Sequence, residues 1–258
     1  SSPYQTPGIM TLVQHLEQEY GTFVPNGGME RITQSLFELA KRKGVSFYLG
    51  EKVNQIFVEK GKATGIKTKN QTLTADIVVS NMDVFPTYKN LLKVIKTPKR
   101  ILSQERSSSA VIFYWGINKI FDQLDLHNIF FSKNYKKEFE AIFNQKKPSE
   151  DFTVYVNITS KDVPSDAPKG GENWFVMINT PADKGQDWNQ IKNQLREKTI
   201  AKLNRILKVD MDSLIQEEEV LTPPMIEQKT SSHLGALYGS SSNDKMAAFL
   251  RHPNFSSE

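Results

Sequence analysis

Residues 25–43 read PNGGMERITQSLFELAKRK, and this stretch decides the fold. Its Pro-Asn-Gly-Gly start predicts a tight turn, because paired glycines adopt positive φ without a steric penalty. The apolar side chains that follow recur every three or four residues, which predicts an amphipathic helix; they are Met29, Ile32, Leu36, Leu39 and Ala40. The basic run 41–43 suits the C-terminal end of the helix dipole, and Gly44 suits a helix stop.

Beyond Gly44 the apolar period changes to two, which indicates strands. The predicted strands cover residues 45–49, 53–60, 63–69 and 73–81, with turns at Gly61 and at Asn70-Gln71. A shorter amphipathic helix is predicted upstream at 8–20, and another helix is predicted downstream at 83–95. The pattern is a helix that delivers the chain to a β-ribbon.

The second part of the chain is richer in apolar strands. They are predicted at 108–118, 127–132, 152–159 and 173–180, and the first is expected to be buried on both faces. Helices are predicted at 135–145 and 187–207, the latter capped by Asp187. Residues 214–228 read as a strand broken by Pro223-Pro224. The predicted class is α+β, with a large mixed or antiparallel sheet flanked by helices.

Composition excludes several kinds of site. Cysteine is absent, which excludes disulfides, thiolate catalysis and Cys-ligated zinc. The four histidines are far apart and have no metal-binding spacing, so no metal is expected. The net charge of +4 comes from scattered lysines, whereas nucleic-acid binding needs a concentrated basic patch. No apolar run approaches the roughly 20 residues of a membrane-spanning helix. With no secretory signal either, a cytoplasmic location is expected.

Recognised catalytic motifs are also missing. The sequence contains no GxGxxG, P-loop, HExxH, GxSxG or CxxC pattern, so no catalytic residue is assigned. Function must therefore be inferred from the order of weaker motifs.

The order of the motifs in this sequence resembles their order in the flavin amine oxidases. It resembles still more closely that of the bacterial-type phytoene desaturases and their hydroxycarotenoid-desaturase relatives. Each motif alone is weak, but the ordered set is fairly specific and covers nearly the whole chain. The matching segments are the turn at 25–28, Ser80-Asn81-Met82-Asp83, the apolar strand 109–117, Thr222-Pro223-Pro224 and the stretch 235–239.

The resemblance implies an FAD-dependent desaturase that oxidises a long polyene, such as phytoene or a hydroxycarotenoid. It divides the chain into a substrate-domain helix segment (1–24), a helix and β-ribbon near the FAD domain (25–90), the substrate-binding domain (91–239) and a return segment (240–258). The family's N-terminal Gly-rich FAD fingerprint and its C-terminal Gly-rich segment are both missing from the sequence. The chain is therefore expected to be mainly the substrate-binding half, with FAD binding by this piece alone left open.

The resemblance also suggests site residues. FAD is expected near Gly27, Gly28, Val53, Asn81, Met82 and Asp83. The structural alternatives are a turn for the glycines, an ordinary strand position for Val53 and a helix cap for Asp83. Aromatic side chains are expected to line a polyene slot, with the hydrophobic core as the alternative: Phe113, Trp115, Tyr155 and Trp174, together with Tyr114 and Phe175.

The expected partners follow from the same resemblance. They are a carotenoid or other long apolar polyene and, because such substrates reside in lipid, a membrane surface to which the protein binds peripherally. Two alternatives stay open: a flavin-dependent carotenoid isomerase, and a non-catalytic module that binds an apolar ligand or a membrane surface. The sequence does not indicate the oligomeric state.

Overall fold

The computed structural model describes residues 2–93 and 95–243. The α-helices are α1 (Thr11–Tyr20), α2 (Glu30–Arg42), α3 (Val84–Pro86), α4 (Lys99–Leu102), α5 (Tyr135–Glu140), α6 (Trp188–Leu207), α7 (Met211–Leu214) and α8 (Pro223–Thr230). The strands are β1 (Val53–Glu59), β2 (Lys62–Thr68), β3 (Thr72–Thr74), β4 (Ser109–Ile117), β5 (His127–Phe130), β6 (Val154–Asn157), β7 (Glu172–Thr180) and β8 (Ile215–Leu221). Single turns of 3₁₀ or π helix are Gly8–Met10, Thr87–Leu91, Ala141–Gln145, Thr159–Lys161, Pro164–Asp166 and His233–Gly235.

Strands β1 to β3 form the predicted β-ribbon, an antiparallel three-stranded sheet in the order β1-β2-β3. Lys60 and Gly61 join β1 to β2 with φ values of 51° and 75°. Two successive residues with positive φ give a turn whose twist matches that of antiparallel strands. The ribbon and the helix before it, α2, thus follow from local sequence.

The larger sheet has five antiparallel strands in the order β5-β6-β7-β4-β8. The long strands β4 and β7 pair along their whole lengths, from Ser109 opposite Thr180 to Ile117 opposite Glu172. Two antiparallel sheets flanked by helices confirm the predicted α+β class.

The main core lies between this sheet and α6. Because side chains alternate across a strand, one set from each strand points toward α6. In β4 this set is Val111, Phe113, Trp115 and Ile117, which are at most 3% exposed. They pack in one cluster with apolar residues of α6, namely Leu195, Ile200 and Leu203.

Helix α6 begins as predicted. The Asp187 carboxylate accepts hydrogen bonds from the backbone N–H groups of Asn189 and Gln190, both at 3.1 Å. We expect Asp187→Ala to lower the free energy of unfolding by about 1 kcal/mol, because the first turn loses its acceptor. Urea unfolding of the full natural chain measures this, and Asp187→Asn, which keeps an acceptor, should cost less. Equal losses in the two variants would contradict the capping role.

One predicted strand is wrong and another is too long. Residues 45–49 are not a strand, and of the strand predicted at 73–81 only the start is present, in β3 (Thr72–Thr74). Period-two apolar sequence forms a strand only where a neighbouring strand pairs with it, and the described residues supply none here. Ile77 and Val79 are accordingly 80% and 85% exposed.

Two other predictions need correction. Strand β4 is buried on both faces only in its first half: Ala110 and Ile112 are 0% and 6% exposed, whereas Tyr114 on the same face is 41% exposed. Pro223-Pro224 does not break a strand but occupies the first turn of α8, where proline's missing N–H is no loss. The predicted return segment falls mostly at 244–258, outside the described residues.

The N-terminal third of the described chain leaves apolar side chains uncovered. The predicted apolar stripe of α2 is present but exposed, with Ile32, Leu36 and Leu39 at 46%, 60% and 43%. Helix α1 has no buried residue, and Leu12, Val13 and Leu16 are about half exposed. Apolar area of this size usually packs against another element.

Candidate functional site

The sheet face that α6 does not cover carries a row of four rings, which we call the ring row. It consists of Tyr114 on β4, Phe175 on β7, Tyr155 on β6 and His127 on β5. Successive ring centroids are 5.5, 6.3 and 6.0 Å apart. Since neighbouring strands lie about 4.8 Å apart, the row crosses four strands almost at right angles. It presents a continuous aromatic surface.

Register explains why these rings meet. Paired positions in the sheet place His127, Asn157, Phe175, Tyr114 and Glu219 in one line across all five strands. Tyr155 precedes Asn157 by two residues and therefore lies on the same face of β6. Its ring contacts the rings of Phe175 and His127.

The surface around the ring row is partly covered and partly open. Helix α8 covers one side, where Ile226 packs with Ala110 and Ile112. On the other side a cleft of about 640 Å³ borders Tyr114, Asn157 and Phe175, and its walls also carry the acidic residues Asp166, Glu172, Glu217, Glu218 and Glu219. Its aromatic floor can contact an apolar ligand, whereas its acidic walls suit polar groups.

The two phenols in the ring row carry no charge at ordinary pH. Burial raises the pKa of Tyr155, and its hydrogen bond with Asn157 opposes only part of this shift. Burial also raises the pKa of Tyr114, with Lys229 opposing the shift and Glu219 adding to it. Neutral phenols do not penalise an apolar ligand that covers them, whereas desolvated charges would.

Three of the predicted polyene contacts lie on the opposite face of the sheet. Phe113, Trp115 and Trp174 belong to the core under α6 and are 1%, 2% and 2% exposed. Although Trp115 and Trp174 border the cleft, so little of each is exposed that the rings are unavailable to a ligand. The Trp174 indole instead donates to buried Glu172 at 2.8 Å. The burial of these three side chains favours the core alternative, and the substrate contact of Tyr155 stays a prediction.

A second constellation ties the Asn81–Asp83 turn to the larger sheet. The Arg106 guanidinium lies 2.8 Å from Oδ1 of Asp83, and both side chains are over 90% buried. The same oxygen accepts from the Phe85 N–H at 2.9 Å, as the helix-cap alternative requires. Oδ2 accepts a long 3.3 Å bond from the His233 N–H. These contacts fit the helix-cap alternative for Asp83, and its cofactor role stays a prediction.

His233 extends this constellation. Its ring stacks on Phe85 at 3.5 Å and lies 3.3 Å from the Glu227 carboxylate. The following stretch joins β4, since Ser109 Oγ donates to the Gly235 carbonyl at 2.5 Å. A cavity of about 450 Å³ borders Arg106 and His233. The sequence motifs at 80–83 and 235–239 therefore meet in space.

His233 should make stability depend on pH. Burial lowers its pKa below the ordinary 6.5 and Arg106 adds to this, while Glu227 and Asp83 oppose it. Below about pH 6.5 the unfolded chain thus binds more protons than the folded one, so acid lowers stability. We expect His233→Phe, which can keep the stack on Phe85, to flatten that decline. Urea unfolding of both proteins between about pH 5 and 8 measures it, and parallel profiles would contradict this role.

The remaining predicted cofactor residues lie in the N-terminal part. Gly27 and Gly28 form the predicted turn, with φ values of 83° and 87°. Val53 begins β1 opposite Thr68. Asn81 is exposed and Met82 is partly buried. No group of His, Asp and Glu side chains within residues 2–93 and 95–243 could hold a metal ion.

Comparison with known proteins identifies the family. Residues 1–249 match the family described as flavin-containing amine oxidoreductases. The chain belongs to this family. Its flavin chemistry was the cofactor class predicted from the sequence, and the prediction is confirmed.

Several proteins with similar sequences have names that refer to carotenoid substrates. The chain is 60% identical over 99% of its length to a 1-hydroxycarotenoid 3,4-desaturase of Flavobacterium sp. (strain P99-3), of which it covers 52%. It is 34% identical to a 4,4'-diapolycopene oxygenase of Methylomonas sp, over 93% of this chain and 49% of that protein. It is 30% identical to a phytoene desaturase of Fusarium fujikuroi, over 92% of this chain and 46% of the relative. The chain spans about half the length of the curated relatives it matches.

A solved structure supports the fold. An oxidoreductase from Methanosarcina mazei superposes with a TM-score of 0.57 at 17% identity, over 82% of this chain and 46% of the other. At this identity the likeness concerns the fold alone, and it agrees with the predicted flavin amine oxidase-like architecture.

The residues present fit one wall of a flavin site. A Cβ added to Gly28 would meet nothing closer than Val163 Cγ2 at 3.9 Å, so a group can approach the backbone there closely. Oε2 of Glu51, two residues before Val53, is buried without a hydrogen-bond partner among the described residues, which leaves an acceptor for a bound group. The cofactor roles of all six predicted residues stay predictions: Gly27, Gly28, Val53, Asn81, Met82 and Asp83.

Sequence reasoning missed Arg106, His127 and Asn157. Strand parity could have found Asn157, because it lies two residues from Tyr155 and so shares its face. The pairing of Arg106 with Asp83 joins residues 23 apart across an element boundary, and no local pattern indicates it.

Proposed function

We propose that this chain is the substrate-binding part of an FAD-dependent carotenoid desaturase that acts on a hydroxylated carotenoid. The ring row carries this proposal, since its neighbouring rings form an aromatic strip along which a rod-like hydrocarbon can lie. The kinship with carotenoid-modifying relatives supports the same substrate class.

The chain's own residues bind and orient the substrate. A bound FAD supplies the two-electron acceptor that the desaturation requires. Tyr114, Phe175 and Tyr155 hold the polyene against the sheet, and the apolar cluster around Ile112 excludes water from one side. Positioning of this kind fixes which bond reaches the acceptor.

The test is product analysis with the holoenzyme carrying the full natural chain. We expect a purified protein with a flavin absorbance band that converts a hydroxycarotenoid to a product with two hydrogens fewer and a longer conjugated system. A product of unchanged composition but altered double-bond geometry would instead support the isomerase alternative. Absence of both flavin and conversion would contradict the proposal.

We propose further that the protein works at a membrane surface on the cytoplasmic side, because its substrate partitions into lipid. A helix long and apolar enough to cross a bilayer is not present in the part of the chain that the structure describes. Sedimentation with lipid vesicles of the holoenzyme tests this proposal. Co-sedimentation that high salt does not abolish is expected, and recovery of all protein in the supernatant would contradict it.

A further inference from the structure

We propose that His127, Tyr155 and Asn157 form a hydroxyl-recognition cluster that selects a hydroxylated polyene over the hydrocarbon of the same length. This inference rests on the proposed function and assigns the specificity to named residues. The cluster lies at the β5 end of the ring row, where the aromatic surface gives way to hydrogen-bonding groups.

The hydrogen bonds within the cluster define its free groups. Nδ1 of His127 lies 2.7 Å from Tyr155 Oη and 3.3 Å from Asn157 Nδ2. Asn157 Nδ2 also donates to the Leu126 carbonyl at 3.0 Å, which fixes the orientation of the amide. With two donors directed at Nδ1, we assign this nitrogen as the acceptor and the ring N–H to Nε2.

The cluster thus offers both halves of a hydroxyl site. Nε2 of His127 has no hydrogen-bond partner within residues 2–93 and 95–243 and can donate to a ligand oxygen. Tyr155 Oη donates to Nδ1 and, besides its hydrogen bond with Asn157, keeps a lone pair that can accept a ligand O–H. A hydroxyl group both donates and accepts, so it satisfies the two groups together. A plain hydrocarbon end would leave both without a ligand partner.

The opposite end of the ring row suits a hydroxyl less well. There Tyr114 lies beside Glu219, which pairs with Lys229 at 3.3 Å. Both of those charged side chains are more than half exposed and satisfy each other and solvent. Covering them with a polyene would desolvate charges, whereas His127, Tyr155 and Asn157 contact one another without an ion pair among the described residues.

The test compares kcat/KM for a hydroxylated and an unhydroxylated polyene of equal length in the flavin-loaded full natural chain. We expect His127→Leu and Tyr155→Phe each to lower the preference for the hydroxylated polyene about tenfold, because each deletes one hydrogen-bonding group. His127→Gln, which keeps a donor, should restore part of the preference. His15→Leu, the same change on exposed α1, should leave the preference unchanged.

The affinity for each of the two polyenes, measured by quenching of protein fluorescence, gives a readout that does not depend on turnover. Unchanged preference in both His127→Leu and Tyr155→Phe would overturn the proposal. So would a loss of preference in Tyr114→Phe with none in Tyr155→Phe, because the hydroxyl would then lie at the other end.

These outcomes separate the two proposals. If the wild-type protein converts neither polyene, the proposed desaturase function fails, and binding then decides the hydroxyl site by the same comparison of variants. If it converts both and the variants keep the wild-type preference, the hydroxyl site alone fails.

Discussion

Phe175→Asp in the holoenzyme is expected to lower kcat/KM for the polyene at least about 100-fold while the flavin stays bound. Phe175 lies in the middle of the ring row and contacts the rings of both Tyr114 and Tyr155. A carboxylate there must lose its hydration when an apolar chain covers it. A penalty of about 2.7 kcal/mol corresponds to the 100-fold loss.

The control for this variant is Phe131→Asp. Phe131 is 60% exposed and lies outside the ring row, next to Tyr135. The same chemical change there should alter kcat/KM only a few-fold. Phe175→Leu, which keeps an apolar floor, should fall between the two. If Phe175→Asp retained flavin and turned over polyene at the wild-type rate, the open face would not be the substrate surface.

Arg106→Ala should have the largest effect on stability, lowering the free energy of unfolding by about 3–5 kcal/mol. The variant leaves the Asp83 carboxylate buried and without its cation, with only backbone N–H groups as partners. Because Asp83 also caps α3, the turn at 81–83 should loosen with it. Urea unfolding of the full natural chain measures the loss.

Lys146→Ala provides the matched comparison. Lys146 Nζ lies 2.7 Å from the Glu105 carboxylate, close to the 2.8 Å of the buried Arg106–Asp83 pair. The Lys146 side chain, however, is 34% exposed. An exposed pair contributes at most about 1 kcal/mol. Similar losses in Arg106→Ala and Lys146→Ala would show that burial does not distinguish the two pairs.

Local signals predicted the elements that need no distant partner. The apolar period of α6 and its cap at Asp187 were both correct, because helix hydrogen bonds and capping lie within a few residues. The β1–β2 hairpin followed from Gly61 for the same reason. The strand predictions for residues 45–49 and 75–81 were incorrect, because a strand depends on a neighbouring strand that local sequence does not specify.

An aromatic surface was predicted, but the sequence did not separate its residues from the core. Tyr114, Tyr155 and Phe175 lie in the ring row, whereas the other three predicted aromatic residues are buried in the core. Strand β4 is apolar or aromatic at nearly every position. Its sequence therefore does not show which of the two alternating sets of side chains points toward the core. The choice depends on where α6 packs, about 80 residues later in the chain. Tyr114 and Phe175 consequently lie on the open face, and Phe113 and Trp174 under α6. The link from Asp83 to His233 spans 150 residues and has no local sign.

The most direct test of the central claim is anaerobic titration of the purified holoenzyme with a hydroxycarotenoid. If the chain binds the polyene on its open face for desaturation, the visible flavin band should bleach in proportion to product formed. Phe175→Asp should bind the same amount of flavin and show little bleaching. A flavin band that no polyene bleaches in the wild-type protein, or equal bleaching in Phe175→Asp, would contradict the account.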